Sequence, residues 1–248
     1  MAKQRHLNNA PILEAIIDFR TKLPSTFKVT QFALLKDLLA DSYPVIEENR
    51  GFEGELKITM GKGVQQSITD KGLQGFFFKS QDRKNVAQFR QDGFTFSRLK
   101  PYTNWQAVLE DAKRLWALYL KIASPELYTR IAVRYINQLV IPLPIESFRD
   151  YLTAPPAVPE NLPQSVRSFL TRVTICDEKV NIMANIIQAL ENVGKADNVA
   201  IFLDIDVFKL KESGFKENEI WPTFEQLHDL KNQIFFDSIQ EKTARLFE

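Results

Sequence analysis

The spacing of apolar residues along the chain predicts an alternation of strands with two long helices. The clearest helix covers Trp105–Leu120, where apolar and aromatic side chains return with the 3.6-residue period of an α-helix. Asn104 is a suitable N-cap for this helix, and Ser124 followed by Pro125 ends it. The next stretch, Tyr128–Pro142, is predicted to be one long strand that connects the two parts of the chain.

Shorter alternating patterns predict the other strands of the first part of the chain. These segments are Ala10–Arg20, Phe52–Met60, Val64–Thr69, Leu73–Lys79, Val86–Gln91 and Phe94–Leu99. Asp92-Gly93 predicts a tight hairpin, because glycine accepts a positive φ at no steric cost. Gly61-Lys62-Gly63 predicts a second turn, and Thr30 is a plausible N-cap for a short helix that ends near Ala40.

The second part of the chain is predicted to contain three strands and a terminal helix. The strands are Val166–Ile175, Lys179–Leu190 and Val199–Leu210. The middle segment fits a helical spacing as well, and its β-branched residues favour the strand. The helix is predicted over Thr223–Phe247, with Thr223 and Gln226 as a capping box.

Prolines divide the chain into an N-terminal part, residues 1–142, a connector, 143–165, and a C-terminal part, 166–248. The predicted fold class is α+β, with antiparallel sheet and a long amphipathic helix packed on sheet in each of two related halves. The supporting pattern is weak: in each half a last strand is followed by a polar linker, a tryptophan and a helix. The two halves form either separate domains or one compact domain.

The composition excludes several classes of function. The chain has 248 residues with 32 basic and 31 acidic side chains, and this balance makes a nucleic-acid binder an unlikely class. One cysteine and two histidines leave no set of ligands for a Cys/His zinc site. The N-terminal residues contain no secretory signal and no apolar run is long enough to cross a membrane, so the expected location is the cytoplasm.

The sequence contains no nucleotide-binding or nucleophile motif, so no cofactor, no metal and no catalytic residue is predicted. Polar residues nevertheless share strand faces in three places, because residues two or four apart on a strand point to the same side. The candidate binding residues are Glu14, Asp18, Arg130, Arg134, Asp204 and Asp206. Three interpretations are open: a solvated face with ion pairs, a face covered by a partner or a second protomer, and a ligand or Mg²⁺ site.

Three blocks of sequence carry a family resemblance that extends over most of the chain. They are Ala10–Arg20, Arg130–Asn137 and the segment from Leu227 to Phe236. The first block resembles the opening P-[IL]-x-E-A-[IV]-[IV] motif of a sporadically distributed prokaryotic family of uncharacterised proteins of similar length. The resemblance implies a prokaryotic cytoplasmic protein, and it carries no activity or catalytic residue.

These observations favour a non-catalytic protein-interaction or adaptor protein that presents its charged sheet face, or an edge strand, to a protein partner. A homo-oligomer is one form of such a partner. The alternative is an enzyme or ligand-binding protein with a carboxylate and arginine site, with or without Mg²⁺. A nucleic-acid-binding protein is the third class.

Overall fold

The computed structural model describes residues 1–59, 63–191 and 197–248, with the backbone alone for 53–59 and 63–68. The strands are β1 (Ile12–Lys22), β2 (Val45–Thr59), β3 (Gly63–Lys79), β4 (Asn85–Arg90), β5 (Gly93–Leu99), β6 (Leu127–Pro142), β7 (Phe169–Asp177), β8 (Ile182–Glu191) and β9 (Asn198–Leu210). These described strands form one sheet in the order β2-β3-β4-β5-β1-β6-β9-β8-β7. Every neighbouring pair is antiparallel. The predicted α+β class with antiparallel sheet is confirmed.

The helices are α1 (Leu35–Leu39), preceded by a 3₁₀ turn at Val29–Leu34, then α2 (Trp105–Ala123), α3 (Glu217–Ser238) and α4 (Glu241–Ala244). Helix α2 packs on β1 and β5, and α3 packs on β6 and β9. Both lie on the same side of the sheet, since the Phe19 ring of β1 contacts Trp116 of α2 at 3.8 Å and Phe224 of α3 at 5.0 Å between centroids. The core therefore lies between the sheet and these two helices.

Strand alternation explains which residues enter the core. Ala15, Ile17 and Phe19 of β1 are fully buried beneath the helices, as the alternating pattern predicts. The pattern fails at the start of the strand, where the pairing of β1 with β6 shifts between Ile12 and Glu14. This irregularity turns Ile12 into the core, although simple alternation places it on the opposite face.

The hairpin between β4 and β5 forms as predicted at Asp92-Gly93. Gly93 has a φ of 153° and approaches the carbonyl oxygen of Phe19 so closely that a Cβ would collide with it. Only glycine fits this position, because the β5 backbone pairs directly with β1 there.

Several predictions about element boundaries are wrong. Strand β2 begins at Val45 rather than at Phe52, and Thr30 lies inside the 3₁₀ turn instead of capping it. The segments Val64–Thr69 and Leu73–Lys79 form one continuous strand, β3, which crosses Gly72 at positive φ. The terminal helix begins at Glu217, six residues before the predicted cap at Thr223, and ends at Ser238. The Thr223 hydroxyl donates to the Glu219 carbonyl inside the helix instead of capping it.

The predicted strand within Lys179–Leu190 is confirmed as β8, and the strand at Val199–Leu210 as β9. Asn104 caps α2 as predicted, since its side-chain oxygen accepts from the Ala107 amide at 2.9 Å. The predicted turn at 61–63 and the end of the strand at Met60 fall on residues 60–62, which lie outside the described part of the chain.

Candidate functional site

The six polar candidates lie on the sheet face opposite α2 and α3. Strand β6 runs between β1 and β9 in the sheet, so its two arginines stand between the carboxylates of both neighbours. Arg134 lies opposite Ile16 of β1 and opposite Asp206 of β9. The sheet order therefore brings the candidate acids and arginines together on one face, and we call this set the ionic face.

Asp18 is the buried centre of the ionic face. One carboxylate oxygen accepts from Thr95 at 2.7 Å and from Arg90 at 3.2 Å, and the other accepts from Arg130 at 3.0 Å. Only 12% of the Asp18 side chain is exposed, and Arg20 lies 3.4 Å from the second oxygen. A buried carboxylate needs such partners, because desolvation without compensation is expensive.

Arg130 joins Asp18 to the next strand. Its Nη2 donates to both carboxylate oxygens of Asp206 at 3.0 Å, and its guanidinium lies 4.6 Å from the Phe208 ring centroid. The Asn185 side chain of β8 also donates to Asp206, at 3.3 Å. Arg130 thus bridges carboxylates on β1 and β9, which fixes its guanidinium in one plane.

Arg134 and Asp204 form a separate, more open pair. The Arg134 guanidinium donates to both Asp204 oxygens, at 2.8 and 2.5 Å, and these hydrogen bonds raise the pKa of Arg134 above its usual value. The Arg134 side chain is 44% exposed. Glu14 is the one candidate without an ion pair to a described residue, although its charge also acts to raise the pKa of Arg134.

Sequence reasoning missed the residues at the other end of the ionic face. Arg90 donates to Asp92 at 2.9 Å as well as to Asp18, and Arg20 also pairs with Asp92. Burial acts to raise the pKa of Asp92, but the charges of Arg90 and Arg20 outweigh it, and the pKa lies below its usual value. The sequence contains Arg20 and Arg90 as polar residues in segments of alternating polarity. Their proximity to Asp92 and Asp18 depends on the pairing of β5 with β1.

With Arg20, Arg90 and Asp92 added to it, and Glu14 left aside as unpaired, the ionic face has equal numbers of ion-paired acids and bases within the described residues. Its paired residues are the acids Asp18, Asp92, Asp204 and Asp206 and the bases Arg20, Arg90, Arg130 and Arg134. No group of three or more His, Cys, Asp or Glu side chains in the described ranges has the geometry to hold a metal ion. The arrangement fits an ion-paired face, with every guanidinium already engaged by a carboxylate.

The outer edge of the sheet at β7 has a different character. Leu170, Val173 and Ile175 are exposed by 74%, 53% and 41%, although all three lie within a strand. No described strand pairs with the side of β7 that faces away from β8. An edge of this kind presents both apolar side chains and unpaired backbone groups, which is the chemistry of strand addition.

No protein-family model and no curated protein matches the sequence. The family resemblance of the three sequence blocks therefore stays a prediction. None of the described helices is long and apolar enough to cross a membrane. The features of this fold that bear on function are the ionic face, the β7 edge and the cavities.

Proposed function

We propose that the chain is a non-catalytic protein-interaction protein of a prokaryotic cytoplasm, and that it binds a second copy of itself through β7. The observation that carries this proposal is the open β7 edge with its exposed apolar side chains. Backbone N–H and C=O groups on such an edge gain hydrogen bonds when a strand is added, and the apolar side chains lose contact with water.

The ionic face is a weaker candidate for the contact surface. Its guanidinium groups are already paired within the chain, so a partner would have to desolvate charges that gain little in return. The β7 edge has no such competition, because its outward backbone groups have no described strand beside them.

The sequence of β7 supports pairing with itself. In a two-fold antiparallel pair centred on Thr174, Val173 of each copy lies opposite Ile175 of the other, and both of these side chains are exposed. The same register places Arg172 opposite Cys176 and Thr171 opposite Asp177, so no like charges oppose each other. Pairs of β-branched residues at such positions stabilise a sheet.

Sedimentation velocity over a range of protein concentrations tests this proposal. The wild-type chain is expected to form a dimer, and the double substitution Val173→Lys with Ile175→Lys is expected to leave a monomer, because lysine on an edge opposes strand addition. The matched control is Leu34→Lys with Leu38→Lys, which changes two exposed leucines away from the sheet edge.

A monomeric wild-type chain at every concentration would refute the second copy as the partner. A dimer that persists in the β7 variant but not in the control variant would move the interface to the region around α1. The far-ultraviolet circular dichroism of both variants checks that the sheet is intact.

The two related halves are part of the same proposal. Strand β1 pairs with β5, which leads into α2, and β6 pairs with β9, which leads into α3. The central β1–β6 pair is antiparallel, so the sheet order β5-β1-β6-β9 is compatible with two halves related by a two-fold axis between these strands. This shared order supports a duplicated origin, which the positions of Trp105 and Trp221 after the last strand of each half also favour.

A further inference from the structure

A cavity of about 400 Å³ lies on the helix side of the molecule, away from both the ionic face and β7. Its walls come from the N-terminal segment, the loop before α2, and α3. Apolar side chains line it, namely Leu7, Ile12, Trp105, Phe235 and Phe236. This volume is in the range of cavities that bind small molecules.

Lys231 of α3 lines this cavity and is only 5% exposed. Its ammonium donates to the Asn232 side-chain oxygen at 2.5 Å and lies 3.6 Å from the Tyr135 ring centroid. An ammonium has three N–H donors and a full charge. The amide and the ring satisfy part of this demand, but neither supplies a negative charge.

No carboxylate compensates Lys231 within the described part of the chain. Among the described residues no ion pair involves Lys231, burial alone shifts its pKa, and neither Asp nor Glu occurs among the residues that line the cavity. Arg5, the other strongly basic lining residue, is engaged by Glu241 at 2.8 Å and by Glu248 at 2.6 Å. Lys231 is therefore a buried cation that lacks its counter-charge.

Neutral polar groups surround Lys231 in the cavity. The hydroxyls of Tyr102 and Tyr135 lie 3.2 Å apart, and the His228 ring stacks on Trp105 at 4.2 Å between centroids. The Asn232 amide nitrogen is 3.5 Å from Nε2 of His228. A ligand oxygen near Lys231 would find hydrogen-bond partners there without meeting a like charge.

We propose that this cavity binds a small organic carboxylate, with the carboxylate group paired to Lys231 and the apolar part of the ligand against Trp105 and Phe235. The site goes beyond the interaction of two chains at β7 and is separate from it. Three observations carry the proposal: a cavity of suitable size, a buried ammonium in its wall, and the absence of any lining carboxylate.

Protonation gives the site a characteristic pH dependence. Burial lowers the pKa of Lys231 to about 7. Burial, and to a smaller extent the charge of Lys231, lowers the pKa of His228 to about 3. The other titratable groups that line the cavity are Tyr102, with a pKa that burial raises, and Arg5 and His6 of the N-terminal segment. Tyr135, whose pKa burial also raises, contacts Lys231 with its ring. Of the groups with a shifted pKa, Lys231 alone changes charge near neutrality.

Isothermal titration calorimetry of the full chain with sodium benzoate tests the proposal. Benzamide is the neutral analogue of the same shape, and inorganic phosphate is the anion without an apolar part. Lys231→Met removes the charge and keeps the length of the side chain. Lys121→Met, an exposed lysine on α2, is the matched control.

Benzoate is expected to bind the wild type and the control equally and to bind Lys231→Met about 10–100-fold more weakly, the effect of one hydrogen-bonded charge. Benzamide is expected to bind the wild type with the same weak affinity that benzoate has for Lys231→Met. Equal benzoate affinity in Lys231→Met, or no benzoate binding to the wild type, overturns the proposal. Phosphate binding as tight as that of benzoate would overturn the assignment to carboxylates with an apolar part.

A second measurement uses the wild type alone and stands even if the variant fails to fold. At about pH 8.5 most Lys231 side chains are neutral, so each carboxylate that binds should cause the uptake of close to one proton. Proton uptake is measured as the change of the binding enthalpy with the ionisation enthalpy of the buffer. Binding without proton uptake would overturn the pairing with Lys231. Neither result depends on whether the chain forms a dimer through β7.

Discussion

Asp18 and Lys231 are buried to a similar extent on opposite sides of one sheet, and their surroundings differ completely. Asp18 lies among Arg90, Arg130 and Thr95, all within hydrogen-bond distance. Lys231 has an amide and an aromatic ring beside it, and no described carboxylate forms an ion pair with it. A buried charge that the chain itself compensates contributes to structure, whereas an uncompensated one is driven toward its neutral form, in keeping with the lowered pKa of Lys231.

This contrast predicts opposite effects of removing each charge. Removal of a compensated buried charge leaves its partners buried with one counter-charge fewer, which lowers stability. Removal of an uncompensated buried charge relieves a desolvation penalty, which raises stability. Both changes can be measured in one chain by the free energy of unfolding in urea.

The largest effect is expected for Asp18→Ala. Because Arg90 and Arg130 would remain buried beside an empty position, we expect the free energy of unfolding to fall by about 3–5 kcal/mol. Glu110→Ala on the exposed surface of α2 is the control and should change it by less than about 0.5 kcal/mol. A loss of under about 1 kcal/mol for Asp18→Ala would show that water compensates these arginines, and the contrast with Lys231 would disappear.

The next effect is a pH dependence that comes from Lys231. Its pKa in the folded chain is about 7, below the ordinary 10.5, so between these values the unfolded chain binds more protons. The penalty of burial is complete below about pH 7 and decreases as the pH rises. Urea unfolding should therefore show stability that increases by about 1 kcal/mol per pH unit from pH 7 to 9, a slope that Lys231→Met lacks.

Comparison of the two chains at each pH cancels the ionisation of the tyrosines, which contributes equally to both. Lys231→Met should also be more stable than the wild type at pH 7, since methionine fills the site without a charge. Parallel pH profiles for the two chains would contradict the uncompensated state of Lys231.

Strand alternation was enough to predict the ionic face in outline. Asp18, Arg130 and Asp206 point to one side of their strands by parity alone, and their strands proved to be neighbours. Arg90 could not be placed with them, because its position depends on a long-range pairing of β5 with β1 that no local pattern encodes. In β3, pairing with β2 continues across Gly72 with a register shift between Gly51 and Phe52, so the two predicted segments are one strand.

The position of Lys231 along α3 is a signal already present in the sequence. It lies four residues after Leu227 and three before Ile234, so it occupies the apolar stripe of α3. A lysine in such a stripe is either long enough to reach solvent or buried, and the sequence does not distinguish the two. The N-terminal segment lies beside the end of α3, where the Ala2 amide donates to the Ile239 carbonyl, and Lys231 is buried in the folded chain.

The smallest predicted effect separates the open end of the ionic face from its centre. Arg134 is 44% exposed, so a double-mutant cycle of Arg134→Ala and Asp204→Ala should give a coupling free energy of under about 1 kcal/mol. The matching cycle of Arg130→Ala and Asp18→Ala should give a larger coupling, because both side chains are mostly buried. Equal couplings would mean that burial does not determine how strongly these pairs interact, and the compensation of Asp18 would then rest on its number of partners rather than on its surroundings.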